Sequence, residues 1–169
     1  MKDHLVPDLL VPNLRLVFCG TAPSKASAAA KAYYAKPGNK FWPSLHDAGI
    51  TPRRLKPSEY PQLLEMGIGL TDLCKIHCGI DSDLPEDAFD VGAFHRKMKR
   101  YAPRVIAFTS KNAAQNALGA RVEYGLQETM IGNSQLFVLP SPSGLATRFF
   151  DPSIWRDLGK LVAKLPHNK

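Results

Sequence analysis

The order of apolar and polar residues along the chain predicts short strands that alternate with helices. Apolar runs between polar or turn-forming residues predict buried strands at 14–19, 67–74, 104–109 and 136–139. Helical spacing and helix-forming residues predict helices at 24–32, 41–48, 58–66, 91–101, 111–118 and 154–165. Because strands that alternate with helices usually pair in parallel, we expect a mainly parallel sheet covered on both faces.

Three segments with candidate chemistry follow predicted strands. They lie after Cys19, at Thr71–Asp72 and after Pro140. The carboxyl ends of parallel strands meet at one edge of a sheet, where ligands of such folds bind. The pattern therefore predicts that these segments share one site.

Length and composition indicate a single soluble domain. The 169 residues contain no internal repeat or long linker, so residues 1–169 are predicted to form one domain. No apolar run reaches the roughly 20 residues of a membrane span. The start Met1-Lys2-Asp3-His4 lacks the apolar core of a signal peptide. We expect a cytoplasmic protein without membrane contact, nucleoid-associated if the source is bacterial.

The charge indicates one class of partner, and the cysteine content argues against a metal site. The net charge of +7 favours a polyanionic partner. The acidic stretch from Asp81 to Asp90 is predicted to be a solvated loop that faces away from nucleic acid. The three cysteines cannot all pair, and the segment from Cys74 to Cys78 fits no usual metal-ligand spacing, so no metal site is expected.

Two neighbouring motifs predict a pocket for a flat, polar, ring-shaped ligand. The first is a small-residue turn after a strand, Gly20-Thr21-Ala22-Pro23-Ser24, whose backbone could approach a ligand closely. The second is Tyr33-Tyr34-Ala35-Lys36-Pro37-Gly38-Asn39-Lys40-Phe41-Trp42, with two pairs of aromatic residues around an amide. Phe41 and Trp42 are interpreted as core residues. Asn39 has a donor and an acceptor, and serves either a ligand or the turn after Gly38.

Two further features complete the candidate site. A carboxylate at the end of a strand, Asp72, can orient water or stabilise a developing cation, and a helix cap or an ion pair is the alternative role. The loop Ser141-Pro142-Ser143-Gly144-Leu145-Ala146 places an apolar side chain on a polar turn. Such a side chain can act as a wedge between stacked bases.

Together these motifs resemble the uracil-DNA glycosylase superfamily, and most of all its mismatch-specific uracil/thymine branch. The resemblance runs in order from about residue 14 to residue 165. It implies an α/β fold, a three-layer α/β/α sandwich with a short, mainly parallel, four-stranded central sheet. One departure is Ala22, which stands where the family's first motif usually has an Asn that positions the hydrolytic water.

The resemblance also implies roles for individual residues. Asn39 and Asp72 are expected to be catalytic. The expected base-binding residues are Gly20, Thr21, Ala22, Pro23, Ser24, Tyr34 and Ser141, with Tyr34 stacking on the base. The expected DNA-binding residues are Lys25, Lys36, Lys40, Ser143, Gly144, Leu145, Ala146 and Arg148.

The implied activity is that of a monomeric, monofunctional DNA repair glycosylase. It would flip uracil out of uracil-containing or mismatched double-stranded DNA and hydrolyse the N-glycosidic bond without a cofactor, releasing free uracil. Two alternatives stay open. A hypoxanthine/xanthine-DNA glycosylase is one, because a related branch also lacks the first-motif Asn and uses an Asn in the second motif. A lesion-binding protein without catalysis is the other, because Ala22 and Ser141 stand where the family usually has Asn, and both changes remove polar groups.

Overall fold

The computed structural model describes residues 4–166, and Met1, Lys2 and Asp3, on which the signal-peptide prediction rested, lie outside the described residues. Five strands form the central sheet: β1 (Leu16–Gly20), β2 (Ile68–Asp72), β3 (Val105–Phe108), β4 (Gly125–Ile131) and β5 (Ser134–Val138). The α-helices are α1 (Lys25–Ala30), α2 (Phe41–Asp47), α3 (Val91–Tyr101), α4 (Lys111–Leu118) and α5 (Pro152–Ala163). The segments Pro57–Met66, Asp81–Asp83 and Gly144–Phe149 are 3-10 helices.

The strand order is β2-β1-β3-β5-β4, and only the last pair is antiparallel. The predicted four-stranded sheet is therefore wrong, because the sheet has five strands and is mixed. The missed strand, β4, lies at the edge of the sheet, and Ile131 is its one buried residue. An exposed edge strand lacks the apolar run that marks a buried strand, so the pattern did not disclose it.

The two faces of the sheet are covered by different helices. Side chains of successive strand residues point to opposite faces, so Leu16 and Phe18 belong to one core and Val17 and Cys19 to the other. Helices α2 and α5 pack on the first face, and helices α3 and α4 pack on the second. This arrangement is the expected α/β/α sandwich.

The predicted helix at 58–66 is of the 3-10 type. It forms a 3-10 helix that contains Pro61, whose missing N–H prevents a continuous α-helical hydrogen-bond ladder. No helix within residues 4–166 combines the length and the hydropathy that a membrane crossing requires.

The N-terminal segment lies beside β2 and reaches the edge of the sheet near the carboxyl ends of the strands. Leu9 and Leu70 exchange two backbone hydrogen bonds of 2.9 and 3.0 Å. A Cβ atom at Gly69 would lie 2.5 Å from the Leu9 carbonyl oxygen, so only glycine permits this approach. The pairing brings Asp8 to the end of β2, where the predicted site lies.

Candidate active site

A cavity of about 450 Å³ opens at the carboxyl ends of β1, β2 and β3. It brings together residues from all the predicted motifs. Its lining includes Gly20, Thr21, Ala22, Pro23, Ser24, Tyr34, Lys36, Asn39, Asp72, Ser141, Ser143, Leu145 and Ala146. Among the predicted residues, Lys25, Lys40, Gly144 and Arg148 lie outside this lining. The expected site thus exists as one concave surface, with a volume typical of small-ligand pockets.

Gly20 allows three polar side chains to converge on the cavity. A Cβ atom at this position would lie 2.8 Å from Asp72 Oδ1, 3.2 Å from Tyr34 Oη and 3.3 Å from Thr109 Oγ1. Any larger residue would displace the Asp72 carboxylate. The absence of a side chain at Gly20 is therefore a condition for this polar cluster.

The turn after β1 is bonded through its carbonyls to the segment that follows β2. The carbonyls of Thr21 and Pro23 already accept hydrogen bonds from the N–H groups of Cys74 and Gly79, at 2.8 and 3.0 Å. The Ala22 side chain, by contrast, supplies no polar atom. The structure therefore places in this turn no side chain that could position water from residue 22.

Tyr34 is fixed by both its ring and its hydroxyl. Its ring stacks on Phe41, with centroids 3.8 Å apart, and its hydroxyl shares a hydrogen bond of 3.1 Å with Thr109. Its backbone φ of 52° is unusual for an aromatic residue and indicates that the surrounding contacts determine this conformation. Phe41 and Trp42 are buried, as predicted for core residues. Tyr34 is therefore preorganised at the wall of the cavity.

Asn39 combines the two roles that the sequence left open. Its Oδ1 accepts a hydrogen bond of 2.9 Å from the Phe41 backbone N–H, which stabilises the entry into α2. Its Nδ2 has no hydrogen-bond partner within residues 4–166, and the residue lines the cavity. One end of the amide thus holds the turn, and the other end remains available to a ligand or water.

Asp72 is the buried carboxylate of the cavity lining, and it is only 4% exposed. Burial raises its pKa to about 6, although Lys75 and Lys97 oppose this increase and Asp8 adds to it. Its Oδ2 is buried and has no hydrogen-bond partner within the described residues. A carboxyl with such a pKa can accept or release a proton near neutral pH.

Three polar residues of the site escaped the sequence analysis. Thr109 follows β3 at the same edge of the sheet, and its position after a third parallel strand was a usable signal. The partly buried Asp8 and the buried Lys75 form an ion pair of 3.0 Å next to Asp72. Nothing local marked Asp8, because its contacts are made with residues more than 60 positions away.

The five acidic residues from Asp81 to Asp90 are exposed, as predicted for a solvated loop, and Asp81 among them also lines the cavity. Asp81 lines the cavity, accepts a hydrogen bond of 2.6 Å from the Thr21 hydroxyl and is bonded to the Asn112 amide. Ile80 beside it is exposed and lines the same wall. The contacts of Asp81 were not predictable, because the charge pattern of a segment carries no information about the tertiary contacts of one member.

The loop from Ser141 to Leu145 forms the opposite wall. Ser141 Oγ accepts from the Ser143 N–H, and Ser143 Oγ accepts from the Leu145 N–H, each at 3.2 Å. The Lys40 N–H donates to the Pro142 carbonyl at 2.7 Å, which ties this loop to the segment of Asn39. Leu145 is 68% exposed on a loop held in place, as a wedge requires.

Of the predicted phosphate-binding cations, Lys36 lines the cavity, and Lys25, Lys40 and Arg148 lie near its lining residues in the sequence. Lys25 and Lys36 are exposed, while the Lys40 ammonium lies 4.6 Å from the ring centre of Phe150. Arg148 is exposed beside Phe149, with its guanidinium 5.8 Å from the ring centre. Within residues 4–166 no cluster of three or more metal-ligating side chains occurs.

Two comparisons with known proteins agree with this geometry. The family model of the uracil DNA glycosylase superfamily matches residues 7–159. The fold is similar to the solution NMR structure of a candidate uracil DNA glycosylase from Methanosarcina acetivorans, with a TM-score of 0.64 and 24% identity. That similarity covers 96% of this chain and 98% of the other. The family match spans most of the sequence and includes every element that forms the cavity, and the chain belongs to the uracil DNA glycosylase superfamily.

Proposed function

We propose that this protein is a monofunctional DNA repair glycosylase that removes uracil from double-stranded DNA. The observation that carries the proposal is the cavity at the end of the sheet beside the exposed Leu145. An enzyme that acts on a base must extrude it from the stack, which requires a pocket for the base and benefits from a wedge that fills the gap. Both parts lie next to each other in this protein.

The residues of the cavity suit hydrolysis of an N-glycosidic bond. The flipped base would lie against Tyr34, with its polar edge near the N–H groups of the turn after Gly20. Bond cleavage builds positive charge on the sugar and negative charge on the base. The Asp72 carboxylate and the N–H donors counter these two charges, and Asn39 Nδ2 is available to hold the attacking water.

The DNA partner is proposed to bind across the loops of the cavity. Lys25, Lys36, Lys40 and Arg148 would contact phosphates, and Ser143 to Ala146 would contact the duplex at the flipped nucleotide. The protein would act as a monomer in the cytoplasm, near the chromosome of a bacterial cell.

A second substrate class is favoured by one feature of the site. Ala22 and Asn39 both line the cavity, which is the combination that the sequence analysis associated with hypoxanthine removal. A volume of about 450 Å³ does not exclude a two-ring base. Hypoxanthine or xanthine is therefore the alternative substrate.

A strand-scission assay tests the proposal and separates its alternatives. Excess protein is incubated with labelled duplexes that contain uracil opposite guanine, uracil opposite adenine, thymine opposite guanine or hypoxanthine, and abasic sites are then cleaved with alkali. We expect scission of the uracil duplexes. Scission of the hypoxanthine duplex alone would reassign the substrate, and lesion binding without any scission would leave only a binding protein.

A further inference from the structure

A buried lysine lies beneath the cavity and faces the candidate catalytic carboxyl. Lys75 is 8% exposed, and its ammonium lies 3.0 Å from Asp8 Oδ1, 2.9 Å from Tyr33 Oη and 3.9 Å from Asp72 Oδ2. The last distance is an ion-pair contact and too long for a hydrogen bond. Lys75 is thus bonded to Asp8 and Tyr33 while its charge acts on Asp72.

Asp8 organises this cluster from the N-terminal segment. Its Oδ1 also accepts a hydrogen bond of 2.7 Å from the Thr71 hydroxyl, and its Oδ2 accepts one of 2.7 Å from Lys97. Burial raises its pKa, but Lys75 and Lys97 outweigh burial, so the pKa of Asp8 lies below its usual value. Asp8 is therefore ionised at neutral pH and holds both ammonium groups in place.

The cluster of Asp8, Lys75, Lys97 and Asp72 is not expected to contribute much to folding stability. Buried ion pairs contribute little net stability, because desolvation of the two charges offsets their attraction. Three of the four charges here are satisfied by hydrogen bonds, whereas Asp72 Oδ2 is left without one. Asp72 Oδ2 is therefore buried beside the Lys75 ammonium, whose charge favours the ionised carboxyl.

We propose that Lys75 and Asp8 are positioning residues that act through Asp72 and set its ionisation in opposite directions. The Lys75 ammonium favours the deprotonated carboxyl. The Asp8 carboxylate opposes that state through its like charge, and the Lys75 ammonium lies closer to Asp8, at 3.0 Å, than to Asp72, at 3.9 Å. Together the two residues determine the pH above which Asp72 is ionised.

Several groups from different elements contribute to the environment of Asp72. The charged groups that act on it are Lys75 after β2, Asp8 in the N-terminal segment and Lys97 on α3. The other titratable groups that interact with it are Cys19 on β1 and the phenols of Tyr33 and Tyr34, whose pKa values burial raises above their usual range. These three groups stay neutral between pH 4 and 8, so the charged residues determine the response.

The direct test is a carbon NMR titration of the Asp72 carboxyl in full-length protein labelled at aspartate. The Asp72 signal is assigned by its loss in Asp72→Asn. Lys75→Gln should raise the midpoint of this titration by about one pH unit, and Asp8→Asn should lower it by a similar amount. Lys160→Gln, which removes an exposed lysine on α5, should leave the midpoint unchanged.

Opposite shifts distinguish positioning from general destabilisation, which would not move one midpoint in two directions. Shifts of the same sign, or no shift in either variant, would overturn the proposal. If Lys75→Gln fails to fold, the near-isosteric Asp8→Asn still decides, because an unchanged or raised midpoint would contradict the proposal. Lys75→Arg retains the charge and should restore a midpoint close to that of the wild type.

The catalytic consequence rests on the proposed function and is measured separately. The acid limb of the single-turnover rate on a uracil duplex should move with the Asp72 midpoint, upward in Lys75→Gln and downward in Asp8→Asn. A wild-type protein that cuts no duplex would overturn the proposed function and leave the NMR shifts intact. An active wild type without the opposite shifts would overturn the positioning role alone.

Discussion

Ionisation of the buried Asp72 carboxyl is unfavourable. Its pKa is about 6 in the folded protein, against an ordinary value of 3.8. The protonated carboxyl therefore favours the native state. That contribution is about 3 kcal/mol, is complete below about pH 4 and is lost as the pH rises through 6.

Replacement of Asp72 by Asn should relieve this cost. Relative to the wild type, Asp72→Asn should increase the free energy of unfolding by up to about 3 kcal/mol at pH 7.5 and by much less at pH 4. Urea unfolding of both proteins at the two pH values measures the difference. A gain that is equal at pH 4 and 7.5, or a loss of stability at pH 7.5, would contradict the buried-charge account.

Asn39 is expected to be essential for turnover but not for lesion binding. Asn39→Ala removes the Nδ2 group from the cavity and should reduce the single-turnover rate roughly 100-fold or more. It also removes the acceptor of the Phe41 N–H, which costs about 1 kcal/mol of stability.

A matched variant separates these two effects of Asn39. Asn39→Ser keeps a short side-chain acceptor for the turn but cannot reach as far into the cavity. We expect near wild-type thermal stability together with the low rate of Asn39→Ala. Recovery of the rate in Asn39→Ser would show that the amide acts only on the local structure.

Single residues of the site were predictable where a local motif marked them. Asp72 lies at the end of a strand, and Tyr34 and Asn39 belong to the motif with two aromatic pairs. All three residues line the cavity. Asp8 and Lys75 were not predictable, because a buried ion pair depends on contacts between distant segments. In the sequence, an isolated lysine of this kind is more often solvated.

At the scale of elements, the short helix Gly144–Phe149 presents Leu145 to the solvent. Leu145→Ala should leave folding stability within about 0.5 kcal/mol, because the side chain is exposed. It should reduce activity on uracil in a duplex roughly tenfold, equivalent to about 1.4 kcal/mol of lost wedge contact, with little effect on single-stranded uracil DNA.

Comparison of duplex and single-stranded substrates is the measurement for the wedge. Leu126→Ala on β4 is the matched control, because Leu126 is also a half-exposed leucine but lies outside the lining of the cavity. Equal losses on both substrates, or an equal effect of Leu126→Ala, would refute the role of Leu145 as a wedge.

Elements with a buried face were predicted well, and the exceptions share a physical cause. Helix α4 has the predicted bounds, and the four predicted strands are present. Strand β4 was missed, because its stability comes from backbone pairing with β5 rather than from buried side chains. The helix type of segment 58–66 was not predictable, because apolar spacing does not distinguish an α-helix from a 3-10 helix.

At the scale of the whole molecule, the net charge of +7 should make binding to DNA strongly dependent on salt. Each phosphate contact contributes a slope of about −0.9 in log Kobs against log salt concentration. Lys36→Gln and Arg148→Gln should each reduce the magnitude of this slope by about one. Lys160→Gln is the control, and a slope that all three variants leave unchanged would place the DNA on another surface.

The topology explains why residues far apart in sequence could be assigned to one site. Parallel strands end at the same edge, so Gly20, Asp72 and Thr109 meet although 89 positions separate the first from the last. The order of strands in the sheet could not be predicted from the sequence. It is fixed by the packing of helices on both faces, which no local pattern encodes.

The most direct test of the account is the quantity of free uracil released in a single turnover. Excess wild-type protein is incubated with a duplex that contains one uracil opposite guanine, and mass spectrometry measures both the free base and the abasic strand. For a monofunctional glycosylase, we expect one free uracil for each abasic site formed. A duplex that remains intact while the protein binds it would contradict the assignment of glycosylase activity to this cavity.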